Sequence, residues 1–178
     1  MTVLIAGVRW QRSYSIVEIL ENGNLVIAVK QQGKVSNALT QQPVKSVVEI
    51  SKPQGEFVLK SQPHSALMIA SGSGITAIYA LIKAALKRPQ TVSNIDLIYF
   101  TRDDSFHAEL QQLTEHYPQF KYHHVNTRTH KQHLSQELLR QKIEGFEQRE
   151  RYDCGATNMM QSLTEIYQAL DLVDHLHT

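Results

Sequence analysis

The sequence predicts an α/β fold that follows an all-β segment, with a doubly wound parallel sheet in the C-terminal part of the chain. Two observations carry this prediction. Residues 1–60 show patterns typical of short strands and turns, and no long helix. From about residue 61, apolar strands alternate with helical stretches, which is typical of a parallel sheet with helices on both faces. The predicted domains are residues 1–60 and 61–178, with the boundary near residues 58–64.

The N-terminal domain consists of short apolar stretches. VLIAGV predicts a strand, SYSIVEIL alternates as a half-buried strand does, and LVIAVK follows an Asn-Gly turn. A strand that begins in QRSYSI would place Arg12 and Tyr14 on one face, because side chains alternate along a strand. KSVVEI predicts a further strand, VSNALTQQ predicts one or two helical turns, and SKPQGEF breaks the pattern.

The C-terminal domain alternates strands with helices. SALMIA is a continuous apolar run, which predicts a strand buried on both faces. A helix in AIYALIKAALKR ends before Pro89, and Ser135 is expected to cap the helix in LSQELLRQKIEGF. The other predicted strands are IDLIYF, FKYHHV and a short one in YDCGA, and the other predicted helices are SFHAELQQLTEHY and MMQSLTEIYQAL.

Charge and residue counts narrow the function classes. With 18 basic and 17 acidic residues the net charge is +1, so we expect no general attraction to nucleic acid or membranes. The single cysteine, Cys154, excludes an intrachain disulfide framework and a four-cysteine metal site. No long apolar run and no signal-peptide pattern is present, which predicts a cytoplasmic protein without a membrane span. The nine histidines show no ordered carboxylate framework, which predicts no metal site.

A glycine-containing loop is the clearest functional signal. Gly72, Gly74 and Ala77 follow a predicted buried strand and open a helix, in the G-x-G-x-x-A spacing of dinucleotide-binding loops. Glycines allow a sharp turn and a close approach of the backbone to a phosphate, and the helix N-terminus supplies free N–H groups. The alternative interpretation is a tight turn between strand and helix that binds no ligand.

Two further loops contain candidate side chains. Thr127, Arg128 and Lys131 follow the third predicted strand of the C-terminal domain and can surround a phosphate, or can form a solvated basic loop. Cys154 and Gly155 end the last strand at the same sheet edge as the glycine loop. The thiol of Cys154 can contact a substrate ring, act as a nucleophile, or serve as a small apolar filler.

Read in order, these stretches resemble the ferredoxin–NADP⁺ reductase-like flavoproteins. RSYSI resembles the R-x-Y-S flavin motif of that family, GKVSNAL its G-x-x-S phosphate-binding turn, and PQGEF its P-x-G-x-F segment. IASGSGITA resembles A-G-G-T-G-I-T-P, and CGATNM resembles C-G-P-x-x-M. The departures are Ser71 for glycine, Ala77 for proline and Ala156 for proline.

The resemblance implies roles for individual residues toward FAD. Tyr14 would stack on the isoalloxazine ring, Ser15 would hydrogen-bond near the flavin N5, and Arg12 would pair with the pyrophosphate. The remaining implied FAD contacts, made through backbone N–H groups and a hydroxyl, are Gly33, Val35, Ser36 and Asn37. Tyr14, Ser15 and Cys154 are the implied catalytic residues.

The resemblance also implies an NADP(H) site. Gly72, Gly74 and Thr76 would hold the pyrophosphate and ribose, and Cys154 with Gly155 would lie against the nicotinamide. Thr127 and Arg128 align with a Ser-Arg pair that receives the 2′-phosphate in members that prefer NADPH, so NADPH is expected over NADH.

The implied activity is an oxidoreductase that passes a hydride from NADPH to FAD and then single electrons to an iron–sulfur acceptor of the ferredoxin type. The alternative is an NADP(H)-binding module without flavin or catalysis. MTVLIAGVRW resembles the end of the strand that leads into the flavin motif, so the N-terminal domain is expected to be a partial antiparallel β-barrel, truncated at its start. ALDLVDHLHT resembles the end of the nucleotide domain in members that continue into a [2Fe–2S] domain.

Overall fold

The computed structural model describes residues 1–129 and 134–178, which form two compact units, Met1–Glu56 and Phe57–Thr178. The first unit contains two separate two-stranded antiparallel sheets and one short helix. Its elements are β1 (Thr2–Ile5), β2 (Val8–Gln11), β3 (Ile16–Ile19), β4 (Leu25–Ile27) and α1 (Lys34–Thr40).

The stretch MTVLIAGVRW forms a hairpin, and the prediction of a single strand end is wrong. Strands β1 and β2 pair antiparallel around Ala6 and Gly7, which both have positive φ, at 50° and 76°. Two central residues with positive φ match the twist of the flanking strands, which favours a two-residue hairpin turn. The sequence argument missed this turn because alanine rarely adopts that conformation.

Two other strand predictions in the first unit also fail. Strand β2 ends at Gln11 and β3 begins at Ile16, so Arg12 and Tyr14 do not share the face of one strand. KSVVEI forms no strand, and its only ladder contact is an isolated bridge between Thr2 and Glu49. The apolar side chains of KSVVEI are not buried in a core; Val47, for example, is 97% exposed.

The second unit is a five-stranded sheet flanked by four helices. Its strands are β5 (His64–Ser71), β6 (Val92–Thr101), β7 (Phe120–Asn126), β8 (Glu150–Cys154) and β9 (Leu176–His177). Its helices are α2 (Ile75–Leu86), α3 (His107–His116), α4 (Gln136–Lys142) and α5 (Thr157–Ala169). Ser135 caps α4 as predicted, because its Oγ accepts a hydrogen bond from the Leu138 N–H at 3.2 Å.

All strands of this sheet run parallel in the order β7-β6-β5-β8-β9. Residues 66–70 of β5 are fully buried, and alternate side chains enter two different cores. Ala66, Met68 and Ala70 pack with residues of α2 and α3, whereas Leu67 and Ile69 pack with residues of α4 and α5. The predicted doubly wound α/β fold after small antiparallel strands is therefore confirmed.

Candidate functional site

The sheet has a switch point between β5 and β8. The chain proceeds from β5 to β6 and β7 on one side and then returns to place β8 on the other side of β5. Ligands of open α/β sheets bind outside the carboxyl ends of the strands at such a point. The glycine loop follows β5 and the turn from Cys154 to Ala156 follows β8, so both predicted loops lie at this point.

The glycine loop is a short 3₁₀ turn of residues Gly72–Gly74 that leads directly into α2. Gly72 has a φ of 51°, in the left-handed region that glycine tolerates best. The N-cap of α2, Gly74, has no side chain to satisfy the first N–H groups of the helix. The start of α2 therefore carries no side-chain cap at the switch point, and a helix N-terminus that follows a glycine turn suits a phosphate.

Gly74 is where the two loops touch. A Cβ atom on Gly74 would lie 2.8 Å from the backbone nitrogen of Gly155 and closer still to the carbonyl of Cys154. On the other side of the turn, a Cβ atom on Gly155 would lie 3.0 Å from the Cβ of Ser71 and closer to its Oγ. Gly74 is therefore required by packing against the backbone of the Cys154 turn, whereas Gly155 packs against the side chains of Ser71 and Met159. Sequence spacing predicted the two loops but not this contact.

The Cys154 thiol lies beside this contact and is half-buried. Burial raises the pKa of the Cys154 thiol, and the neighbouring carboxyl of Asp153 raises it further. A thiol with a raised pKa stays protonated near pH 7 and is a weak nucleophile. The local electrostatics therefore favour a contact role over nucleophilic catalysis.

Thr127 links the ends of β6 and β7. Its N–H and its Oγ1 both donate to the carbonyl of Thr101, at 2.9 Å and 3.2 Å. The Arg128 N–H is bound to Asn126 Oδ1 at 2.9 Å, and the exposed Arg128 guanidinium has no partner within residues 1–129 and 134–178. Arg102, which the sequence argument did not select, is exposed at the end of the neighbouring strand β6. Lys131 lies outside the described residues.

The first unit contains a pocket of about 280 Å³ that joins the RSYS and GKVS stretches. Its lining residues are Trp10, Arg12, Ser13, Tyr14, Gly33, Lys34, Val35 and Ser36. Ser15 and Asn37, also predicted to contact FAD, are not among them. Arg12 and Tyr14 thus meet at one pocket because the chain turns between β2 and β3, and not because they share a strand face.

Three lining residues of this pocket, Trp10, Ser13 and Lys34, were not predicted from the sequence. The Lys34 Nζ lies 4.6 Å from the ring centroid of Trp10, which is a cation–π geometry. Trp10 precedes Arg12 by two residues, and Lys34 follows the predicted Gly33, so proximity to the selected motifs was the available signal.

The Ser36 hydroxyl closes the turn before α1. It accepts hydrogen bonds from the N–H groups of Gln32 and Gly33, at 3.1 Å and 3.0 Å, and donates to the Gly33 carbonyl at 3.0 Å. A direct contact between this hydroxyl and a ligand would have to replace one of these bonds.

Comparison with known proteins identifies both domains. Residues 68–165, more than half of the chain, match the oxidoreductase NAD-binding domain, and residues 1–59 match the oxidoreductase FAD-binding domain. The chain belongs to the ferredoxin–NADP⁺ reductase-like flavoproteins. The family assignment made from the five motifs is therefore confirmed.

A curated relative matches this flavoprotein over part of its own length. NADH-cytochrome b5 reductase 1 of Dictyostelium discoideum is 32% identical over 106 residues, which are 57% of this chain and 37% of the relative. The chain thus spans less than half the length of that relative.

Two solved structures share the fold. A ferredoxin NADP⁺ reductase from Neisseria gonorrhoeae with bound FAD and NADP has a TM-score of 0.76 and 19% identity, over 97% of this chain and 76% of that one. Phthalate dioxygenase reductase, described as a modular structure for electron transfer from pyridine nucleotides to [2Fe-2S], has a TM-score of 0.74 and 23% identity, over 99% and 55%.

The residues of this flavoprotein fit the two cofactors that its domains imply. The pocket of the first unit combines the Arg12 guanidinium, the Tyr14 ring and the backbone of Gly33, where no atom lies within 4 Å of the place a Cβ would take. A cation, a flat ring and open backbone suit a phosphorylated aromatic ligand. The switch point of the second unit has the glycine loop and a helix start without a side-chain cap, which suit a dinucleotide pyrophosphate.

Two classes of site have no counterpart in the described residues. Within residues 1–129 and 134–178, no group of three His, Cys, Asp or Glu side chains is arranged to hold a metal ion. No helix of that part of the chain is long and apolar enough to cross a bilayer.

Proposed function

We propose that this chain is an NAD(P)H-dependent flavin oxidoreductase that passes a hydride from NADPH to FAD and then single electrons to an iron–sulfur acceptor of the ferredoxin type. When bound, the two cofactors supply the hydride and electron chemistry. The chain supplies binding and orientation. Arg12 and the turn at Gly33 would hold the FAD phosphates, Tyr14 would face the flavin ring, and the glycine loop would hold the NADP(H) pyrophosphate.

One observation carries the proposal. The RSYS and GKVS stretches, which begin 21 residues apart in the chain, line the same pocket of the first unit. Both stretches lie within residues 1–59, which match the FAD-binding domain, and a shared pocket is the arrangement that binding of one FAD molecule by both would need.

The direct test is to add FAD and NADPH to the purified chain and to measure dye reduction. We expect flavin absorbance to remain with the protein after gel filtration, and NADPH-dependent dye reduction that needs FAD. Tyr14→Ala is expected to reduce both, whereas the matched substitution Tyr117→Ala, in the second unit at the end of α3, should leave FAD retention unchanged. If the protein retains no FAD after incubation with an excess of FAD, and NADPH reduces no dye in that mixture, the proposal is wrong.

Preference for NADPH is assigned to the arginines at the ends of β6 and β7. We propose that Arg128, with Arg102 on the neighbouring strand end, receives the 2′-phosphate, because both guanidinium groups are exposed at the same sheet edge as the glycine loop. Arg128→Ala should raise KM for NADPH by roughly 30-fold and barely change KM for NADH, since a charge-assisted contact contributes about 2 kcal/mol. Arg140→Ala, on α4, is the control; equal effects on both nucleotides would remove the assignment.

The identity of the electron acceptor is a separate part of the proposal. The iron–sulfur acceptor is suggested by the family resemblance and by the phthalate dioxygenase reductase fold, whereas the Dictyostelium relative is named for cytochrome b5. Reduction of a plant-type [2Fe–2S] ferredoxin and of cytochrome b5 by the FAD-loaded chain, followed side by side, separates these acceptors. Faster turnover with cytochrome b5 would overturn the iron–sulfur assignment.

A second candidate is an NADP(H)-binding module without flavin. It is favoured by the first unit, where Val44 and Val47 are 92% and 97% exposed and no sheet has more than two strands. Separate calorimetric titrations distinguish the two: heat with NADPH but none with FAD would select the binding module. The cytoplasmic location remains a prediction, and a fractionated cell extract tests it.

A further inference from the structure

Two departures from the family motifs touch each other in the folded chain. Ser71 stands where the nucleotide loop A-G-G-T-G-I-T-P has its first glycine, and Ala156 stands where C-G-P-x-x-M has proline. The two residues are 85 positions apart, and the Ala156 N–H donates a hydrogen bond to Ser71 Oγ at 2.9 Å.

This hydrogen bond needs both departures. Glycine has no hydroxyl to accept it, and proline has no N–H to donate it. With glycine at position 71 alone, the Ala156 N–H would lose this acceptor. With proline at position 156 alone, the Ser71 hydroxyl would lose this donor.

The backbone of Ala156 is already suited to proline. Its φ is −65° and its ψ is 143°, which are the values that a proline ring imposes and permits. The obstacle to proline is Ser71, because the proline Cδ would occupy the place of the N–H hydrogen that now points at Ser71 Oγ. Ser71 and Ala156 are therefore compatible with each other but not freely exchangeable with glycine and proline.

We infer that Ser71 and Ala156 are a matched pair that positions the Cys154 turn against the glycine loop, in place of the glycine and proline of the family motif. Proline stiffens a turn by restricting its own φ. A hydrogen bond from another loop restricts the same turn by fixing the position of its backbone N–H. Ser71 is thus a positioning residue for the dinucleotide site. Its hydroxyl binds the Ala156 N–H, and Ala156 belongs to the same turn as the Cys154 carbonyl that packs against Gly74. This role rests on the proposed NADP(H) function of the switch point.

Ser71 also has a spare donor. Its Oγ accepts from Ala156, and among the described residues the Ser71 hydroxyl proton has no acceptor. The side chain is only partly buried at the mouth of the switch point, so this proton can be donated to a bound dinucleotide.

A double-mutant cycle tests the pair. The four proteins are the wild type, Ser71→Gly, Ala156→Pro and the double variant, each measured for melting temperature and for the dissociation constant of NADP⁺ by calorimetry. Ser71→Gly should weaken NADP⁺ binding about two- to tenfold, the usual effect of losing one hydrogen bond. Ala156→Pro should weaken it about tenfold or more and lower the melting temperature, because Cδ meets Ser71 Oγ.

The double variant decides the inference. Restoring the family pair removes the steric conflict, so NADP⁺ binding should return to within about threefold of wild type, and the melting temperatures should be strongly non-additive. Ala77→Pro, the third departure, is the control: it lies in the first turn of α2, and its effect should add to that of Ser71→Gly.

The possible results distinguish the matched pair, its positioning role and the proposed NADP(H) function. Additive melting temperatures across the cycle would overturn the pair. Non-additive melting with an unchanged NADP⁺ dissociation constant in all variants would overturn the positioning role. A wild-type chain that binds no NADP(H) overturns the proposed function instead, and the melting cycle still decides whether the pair exists.

Discussion

The hydroxyl of Tyr99 donates a hydrogen bond to the carbonyl oxygen of Gly72 across 3.2 Å. Tyr99 is buried in β6, the strand that pairs with β5, so a residue of the neighbouring strand holds the glycine loop that follows β5. The same carbonyl accepts a hydrogen bond from the N–H of Ile75, so Tyr99 and the start of α2 together fix the orientation of Gly72.

Removal of this hydroxyl should affect nucleotide binding more than folding. Tyr99→Phe keeps the buried ring and deletes one neutral hydrogen bond, so we expect about 1 kcal/mol weaker NADP⁺ binding, or roughly fivefold. Calorimetric titration with NADP⁺ measures this. Tyr122→Phe, on the neighbouring strand β7, is the matched control, because its hydroxyl binds His107 instead of the loop. Equal losses in the two variants would contradict a loop-holding role for Tyr99.

The three glycines near the proposed phosphate sites should respond differently to alanine. Gly74→Ala forces a Cβ into the Cys154 turn and should lower the free energy of unfolding by at least about 3 kcal/mol. Gly72→Ala has free space but a φ of 51°, so about 1 kcal/mol is expected. Gly33→Ala has free space and no positive φ, so its stability should stay near wild type. Urea unfolding provides the ranking, and similar values for Gly72 and Gly74 would refute the packing argument.

Glu150 should make the free energy of unfolding depend on pH in the acidic range. Burial acts to raise the pKa of its carboxyl, but hydrogen bonds from Lys60, His177 and His175 outweigh burial and hold the pKa at about 2. A carboxyl with a lowered pKa stabilises the fold above its ordinary pKa near 4.5, and this contribution is lost as pH falls toward 2.

The variant Glu150→Gln isolates that contribution. Wild type should lose stability relative to Glu150→Gln as pH falls from about 4.5 to 2, since glutamine does not titrate. Chemical unfolding at several pH values measures the difference, and Glu115→Gln on α3 serves as an exposed control. A difference that stays constant over this range would rule out Glu150 as the titrating group.

Asp153 should produce the opposite pH dependence. It is 1% exposed in β8, and neither carboxyl oxygen has a hydrogen-bond partner within the described residues. Burial raises the pKa of this carboxyl to about 7, while Tyr167 and Arg151 offset that effect only in part. Ionisation of a carboxyl with a raised pKa opposes folding, so stability is full below the ordinary value of 3.8 and is lost as pH rises toward 7.

The test for Asp153 is the slope between pH 4 and pH 8. Relative to Asp153→Asn, wild type should lose stability over this range, because only the carboxyl takes on a buried charge. Loss of the carboxylate also removes a neighbour of the buried Arg151, so the absolute stability of the variant is not the readout. Asp174→Asn, at an exposed position, should track wild type; parallel curves for wild type and Asp153→Asn would contradict the raised pKa.

The local signals in the sequence succeeded where a residue pattern acts over a few positions. Alternation of apolar strands with helices predicted the parallel sheet, Ser135 predicted a helix start, and glycine spacing predicted the loop after β5. The same reasoning failed in the first unit, where KSVVEI has a strand pattern but pairs with β1 only through the single bridge between Glu49 and Thr2. A strand pattern is stabilised only by partners, and partners are not a local property.

The sequence by itself determined the family, the order of strands and helices from β5 to α5 and the candidate cofactor stretches, because these depend on motifs and periodicity, whereas the two-residue strand β9 was not predicted. Only the tertiary structure decided which of those stretches meet. The pairing of β5 with β8 brings Ser71 to Ala156 and Gly74 to Cys154, and the turn after β2 brings Arg12 to the Gly33 turn. Such contacts depend on the order of strands in the sheet and on the path of the chain between them, so residues that are separately unremarkable in the sequence form one hydrogen-bonded pair in the fold.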